Sequence, residues 1–76
     1  MTSVVLRDDF EAAAVRRLAR DAHDADPARR LLAIAAVYEG MSWTDAARIG
    51  MDRQALRNWA YRFNAEGVAG LVNRAA

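Results

Sequence analysis

Cysteine is absent from this 76-residue chain, which excludes disulfides, thiolate metal sites and cysteine nucleophiles and makes a reducing cytoplasm the expected compartment. Lysine is absent as well, so all 11 basic residues are arginine. Proline occurs once and glycine four times, leaving few places where regular structure must stop. The longest apolar run, Leu31 to Tyr38, is eight residues, far short of the roughly 18 to 20 that span a bilayer. Residues 1–7 lack the basic start, apolar middle and cleavage site of a secretory signal, so no membrane or export role is expected. What the chain has in plenty is alanine, 18 residues. Alanine favours helix but buries little area, so the core must be economical.

The length bounds the chain to one small domain. The formal charge of +1 conceals an asymmetry: residues 1–26 carry four arginines against six acids, net −2, and residues 27–76 carry seven against four, net +3. The basic character lies in the C-terminal two thirds.

Cap residues and glycines fall between apolar-periodic segments and predict four helices. Helix one is expected from about Asp8 to His23, with Asp8, Asp9 and Glu11 at its positive end and Phe10, Ala14, Leu18 and Ala22 as its apolar stripe. Asp26 and Pro27 signal the start of helix two, which runs to about Glu39 and is closed by Gly40. Its apolar segment Leu31 to Tyr38 reads as the central helix of the core. Ser42 to Asp45 resembles a capping box opening a short helix three that ends at Gly50. Asp52 then caps helix four, about Arg53 to Ala65, closed by Gly67. Val68 to Ala76 shows no period and reads as a short irregular arm. The expected organisation is an extended or disordered N-terminus over 1–7, one helical domain over 8–72 and a tail over 73–76. The fold class is all-α: a bundle of about four helices holding a homeodomain-like or paired-like helix-turn-helix at about 43–65.

Two short helices joined by a tight glycine turn form a helix-turn-helix, whose second helix can lie in the DNA major groove. Close crossing needs a small residue in the first helix, glycine at the turn and bulky apolar residues in the second. Ala46, Gly50, Met51, Leu56, Trp59 and Phe63 meet these needs. On helix four, Leu56, Trp59, Ala60 and Phe63 cluster on one side, with Gln54, Arg57, Asn58 and Tyr61 broadly opposite and no acid among them. Arginine can pair bidentately with guanine, and glutamine or asparagine with adenine. Gln54, Arg57, Asn58 and Tyr61 are therefore the candidate base readers. Arg53, Arg62 and Arg48 are the candidate phosphate contacts. The plainer reading of the same face is a solvated side of a helical bundle.

Other residues carry blander readings. Trp43 and Trp59 could stack on single-stranded bases, but their helical positions favour core packing. His23 sits where a helix dipole welcomes it and has no second ligand nearby. Asp21, Asp24 and Asp26 lack the glycine and distal glutamate of a calcium loop. Gly67 and Gly70 have no Lys-Ser/Thr pair and are no phosphate loop. No catalytic triad can be assembled, and no metal, cofactor or small-molecule substrate is expected.

The runs ArgArgLeuLeuAlaIleAla (29–35), GluGlyMetSer (39–42), AlaAlaArgIleGlyMetAspArgGlnAlaLeuArgAsnTrp (46–59) and ArgPheAsnAlaGluGlyValAlaGlyLeuVal (62–72) resemble the N-terminal region of insertion-sequence transposases of the IS630 type, relatives of the Tc1/mariner group. ValArgArgLeuAlaArg (15–20) fits too. The resemblance covers nearly the whole chain, its most specific stretch being Trp59 to Gly67. It implies a DNA-binding domain that recognises the terminal inverted repeats of a mobile element. In that family a ribonuclease-H-like catalytic domain with three metal-binding carboxylates follows. The 76 residues here leave no room for it, so no transposition chemistry is expected of this chain alone. The sequence departs from the family pattern at Asp45, where an aliphatic residue commonly precedes the alanine, and at Ala55, where a hydroxyl residue is often seen. The expected partner is double-stranded DNA in the nucleoid, with a second copy or a full-length transposase as a further partner. The alternative is a helical interaction module that regulates a transposase through the stripe on helix one without reading bases.

Overall fold

The computed structural model describes residues 4–72. Four α-helices follow one another, α1 (Ala12–Asp21), α2 (Ala25–Tyr38), α3 (Trp43–Ala47) and α4 (Arg53–Glu66), and a 3₁₀ helix, Gly67–Leu71, closes the described chain. No strand occurs among the described residues. The architecture is all-α, as the punctuation predicts.

The central helix is α2. Leu31 and the four consecutive residues Ala33, Ile34, Ala35 and Ala36 are buried, so neighbours cover it on nearly every side. Its start lies two residues earlier than expected. Asp24 occupies the N-cap and Pro27 sits in the first turn, buried, where its missing amide still costs no hydrogen bond. Its end follows from Gly40, at φ 96. The Met41 amide bonds to the Ala36 carbonyl and the Gly40 amide to the Val37 carbonyl, each at 3.0 Å, which satisfies two free carbonyls at the helix end.

Against α2 lies α1, which begins at Ala12 rather than Asp8. The backbone before it is satisfied elsewhere. The Arg7 amide donates to Asn64 Oδ1 at 2.8 Å and Asn64 Nδ2 donates to the Val5 carbonyl at 2.8 Å. The Tyr38 hydroxyl donates to the Arg7 carbonyl. Residues 4–11 thus run as a strap across the C-terminal end of α4, with Leu6 and Phe10 packed against the core. The buried residues of α1 are Val15 and Ala19, while Leu18 is 38% exposed. The stripe is therefore rotated from the one expected: small Ala19 admits α2 closely, and Leu18 does not.

The helix-turn-helix is built by two side-chain caps. Ser42 Oγ accepts from the Asp45 amide at 3.2 Å, and Asp52 Oδ1 from the Ala55 amide at 2.7 Å. Helix α3 ends at Ala47, earlier than expected, and a turned segment through Gly50, at φ 146, leads to α4. The core joins Phe63, Ile34, Leu56, Leu71 and Val15, the largest fully buried side chains. The Phe63 ring meets Phe10 at 5.0 Å and Tyr38 at 6.3 Å between centroids. Where an irregular arm was expected, residues 67–71 turn back onto α4 and bury Leu71. Residues 1–3 and the expected tail 73–76 lie outside the described part.

Candidate nucleic-acid interface

Helix α4 has two ends fixed by chemistry and one side fixed by packing. Asp52 caps its start, Gly67 at φ 68 ends it, and Leu56, Ala60 and Phe63 are fully buried. At about 100° per residue, Gln54, Asn58, Tyr61 and Ala65 then lie opposite the core. All four are exposed, Tyr61 to 58%. Between Arg53 and Ala65 the helix carries no acidic residue. An outer helix face presenting amide and phenol groups and no carboxylate is chemically suited to base edges in a major groove.

The expected base readers divide into two groups. Gln54, Asn58 and Tyr61 share the outermost line, and Gln54 Nε2 donates to Asn58 Oδ1 at 3.3 Å. This bond pre-orients both amides one turn apart. Arg57 lies on a flank with Arg53 and is half-buried. Together with Asp52 and Gln54 they line a recess at the N-terminal end of α4. Of the expected phosphate contacts, Arg53 is exposed there, Arg48 is exposed on the turn with an ion pair to Asp45 at 3.5 Å, and Arg62 occupies the opposite flank of α4. Of the six residues expected to lock the motif, three are not fully buried: Met51 and Trp59 pack at the edge of the core, and Gly50 lies outside it. Gly50 is exposed because its backbone, not its burial, makes the turn, whereas Ala46, Leu56 and Phe63 are fully buried.

Trp59 is half-buried at the edge of the core, on the same flank as Arg62. The Arg30 guanidinium lies 3.8 Å and that of Arg62 4.8 Å from its ring centroid. Arg30 comes from α2 and is anchored by donating from Nη1 to the Leu71 carbonyl at 3.0 Å. Arg29, next in the chain, pairs with Asp26 at 2.8 Å. Reading the helix-turn-helix segment alone misses Arg29 and Arg30. The sequence signals that include them are the C-terminal basic excess and the run 29–35 that carries the family resemblance.

Electrostatic pairs elsewhere hold the scaffold. The Arg7 guanidinium beside Asp9 holds that carboxyl below its ordinary range, and Arg16 does the same to Glu39 across α1 and the end of α2. Burial pushes the Tyr38 phenol up. Among the described residues no cluster of His, Asp and Glu could hold a metal ion. No described helix is long and apolar enough to cross a membrane.

Residues 30–76 match the family of winged helix-turn-helix domains. The chain is also similar to a Sinorhizobium fredii protein called "Uncharacterized protein y4pG/y4sC", at 58% identity over 73 residues, or 95% of this chain and 38% of that protein. The chain thus spans well under half the length of this relative. No solved structure matches the present chain. The chain belongs to the winged helix-turn-helix family.

Proposed function

We propose that the chain is a sequence-specific binder of double-stranded DNA, with α4 as its recognition helix and the terminal inverted repeats of a mobile element as its target. The observation that carries this reading is the outer line of α4. Gln54, Asn58 and Tyr61 stand exposed opposite the core, with arginines on both flanks and no acid from residue 53 to 65. Gln54, Asn58 and Tyr61 read bases together with Arg57, which reaches in from its flank, while Arg53, Arg48 and Arg62 hold phosphates. The element-end target rests on the resemblance to IS630-type transposases. In this reading the chain supplies recognition and no chemistry. It works in the cytoplasm on nucleoid DNA, alone, as a homodimer, or beside a full-length transposase that does the cutting. The interaction-module alternative needs an uncovered apolar stripe on α1, where Val15 and Ala19 are buried and Leu18, at 38%, is the large apolar residue left exposed.

Selection of bound sequences from random duplex DNA, at stated salt, tests the proposal. An enriched motif should emerge. Gln54→Ala or Arg57→Ala should relax preference at one base position, losing about 1 to 3 kcal/mol there. Equal losses on preferred and scrambled duplexes would remove α4 from the role of reader.

A further inference from the structure

On the flank of α4 away from Arg57, one indole gathers cations from two helices. Trp59 carries the Arg30 guanidinium at 3.8 Å and the Arg62 guanidinium at 4.8 Å from its ring centroid. Two like charges brought to one ring repel each other, and stacking on the indole face offsets this repulsion. Arg30 is held further by its bond to the Leu71 carbonyl at 3.0 Å. Two hollows meet at Trp59. One is lined by Asp26, Arg29, Arg30, Gly50, Met51 and Trp59, the other by Ala55, Asn58, Trp59 and Arg62. Asp26 engages Arg29 at 2.8 Å, so the cationic character of this flank rests on Arg30 and Arg62.

The geometry points to a phosphate-binding site at Arg30 and Arg62, with Trp59 as the residue that positions both guanidiniums. The ligand is a phosphodiester of duplex DNA, on the strand that passes the Trp59 flank when the outer line of α4 faces the base edges. The inference rests on the reading of α4 as recognition helix. It adds a contact from α2, outside the helix-turn-helix, and gives the partly buried tryptophan a role beyond packing. With Arg53 on one flank and the Arg30–Arg62 pair on the other, α4 is gripped from both sides of the groove. A guanidinium already stacked in place loses less freedom on meeting a phosphate than a free arginine would.

The test is binding of the whole chain to a preferred and a scrambled duplex across salt concentrations, with Arg30→Gln, Arg62→Gln, Trp59→Leu and Trp59→Phe. Arg62→Gln leaves the Arg30–Leu71 bond intact, so it reports on the site even if Arg30→Gln loosens the closing turn. Each glutamine variant should lower the slope of log affinity against log salt by about one, equally on both duplexes. Between about 50 and 200 mM salt this removes roughly three- to fourfold of the affinity drop per lost contact. Trp59→Leu should flatten the slope while the helical melt persists, and Trp59→Phe should restore it. Folded variants that keep the wild-type slope would overturn the site, as would losses confined to one base position. Failure of Trp59→Phe to rescue would overturn the positioning role. Wild-type chain that binds no duplex at low salt would instead remove the recognition reading itself, and this site with it.

Discussion

Gly70 is the position where one added methyl group tests the packing of the closing turn. A Cβ built there would lie 2.4 Å from the Arg62 carbonyl oxygen and 2.8 Å from its carbon. These are backbone atoms inside α4, which cannot rotate away as a side-chain end would. Gly70→Ala must therefore lift residues 67–71 off α4. Lifting them uncovers Leu71, fully buried in the core, whose burial contributes about 1.5 to 3 kcal/mol. Tolerating the clash in place costs about 1 to 3 kcal/mol. The cheaper route sets the outcome, so Gly70→Ala should destabilise the domain by about 2 kcal/mol, a large part of the roughly 4 to 11 kcal/mol expected for a domain of this size. Urea unfolding followed by far-ultraviolet circular dichroism gives the number. A double-mutant cycle gives the mechanism. Leu71→Ala alone should cost about 2 to 5 kcal/mol, and Gly70→Ala should cost much less in that background than in the wild type. A neutral Gly70→Ala, or strict additivity with Leu71→Ala, would refute the close approach.

Three further outcomes follow from the same packing. Phe63→Ala should cost about 3 to 5 kcal/mol because the ring is fully buried between Phe10 and Tyr38. Trp59→Ala should cost about 2 kcal/mol, since that ring is only partly buried, and a reversed order in urea would put Trp59 in the core. Asn64→Ala should remove the two 2.8 Å bonds that hold the strap and speed hydrogen exchange of the Arg7 amide, while Asn64→Asp, which keeps the acceptor, should preserve most of its protection; equal exchange in both would mean that the strap is held by apolar contact alone. Stability should also fall at both ends of the pH range. Glu39 and Asp9 titrate below their ordinary values because of Arg16 and Arg7, so their contribution is present above the ordinary carboxylate range and is lost as pH falls through the depressed folded values. The buried Tyr38 phenol is shifted up, so its contribution is present below the ordinary tyrosine range and is lost as pH rises through the raised folded value. Glu39→Gln should flatten the acid limb and Tyr38→Phe the alkaline one in thermal melts.

Helix number and most caps are legible in the sequence because they depend on neighbours a few residues apart. Ser42, Asp52, Gly40 and Gly67 do in the structure what their types imply, since each satisfies amides or carbonyls within its own turn. The start of α1 is not legible. Asp8, Asp9 and Glu11 look like a helix entrance, but Asn64 and Tyr38 claim the backbone of residues 5 and 7. A contact spanning 57 residues, as between Arg7 and Asn64, leaves no local periodicity to find. The phase of α1 fails for a related reason. In an alanine-rich helix several stripes are nearly equivalent, and the choice of Val15 and Ala19 over Leu18 belongs to the surface of α2.

The candidate interface divides in the same way. The outer line of α4 follows from helical spacing, because Leu56, Ala60 and Phe63 fix which side is inward. Residues near the boundary between inside and outside are misassigned by spacing alone. Trp59 looks like core because it is large and apolar, and Arg57 looks outward because it is charged, yet each is half-buried on a flank. Flanks are where a groove-bound helix meets the two DNA backbones, so residues there need an apolar stem against the domain and a polar head towards phosphate. Arginine meets that need by itself. Trp59 meets it by carrying arginines, and one of them, Arg30, lies 29 positions away in the sequence on another helix. Under the proposed reading, the base-reading line of α4 is therefore a local property of one helix, whereas its grip on the DNA backbone is a property of the fold.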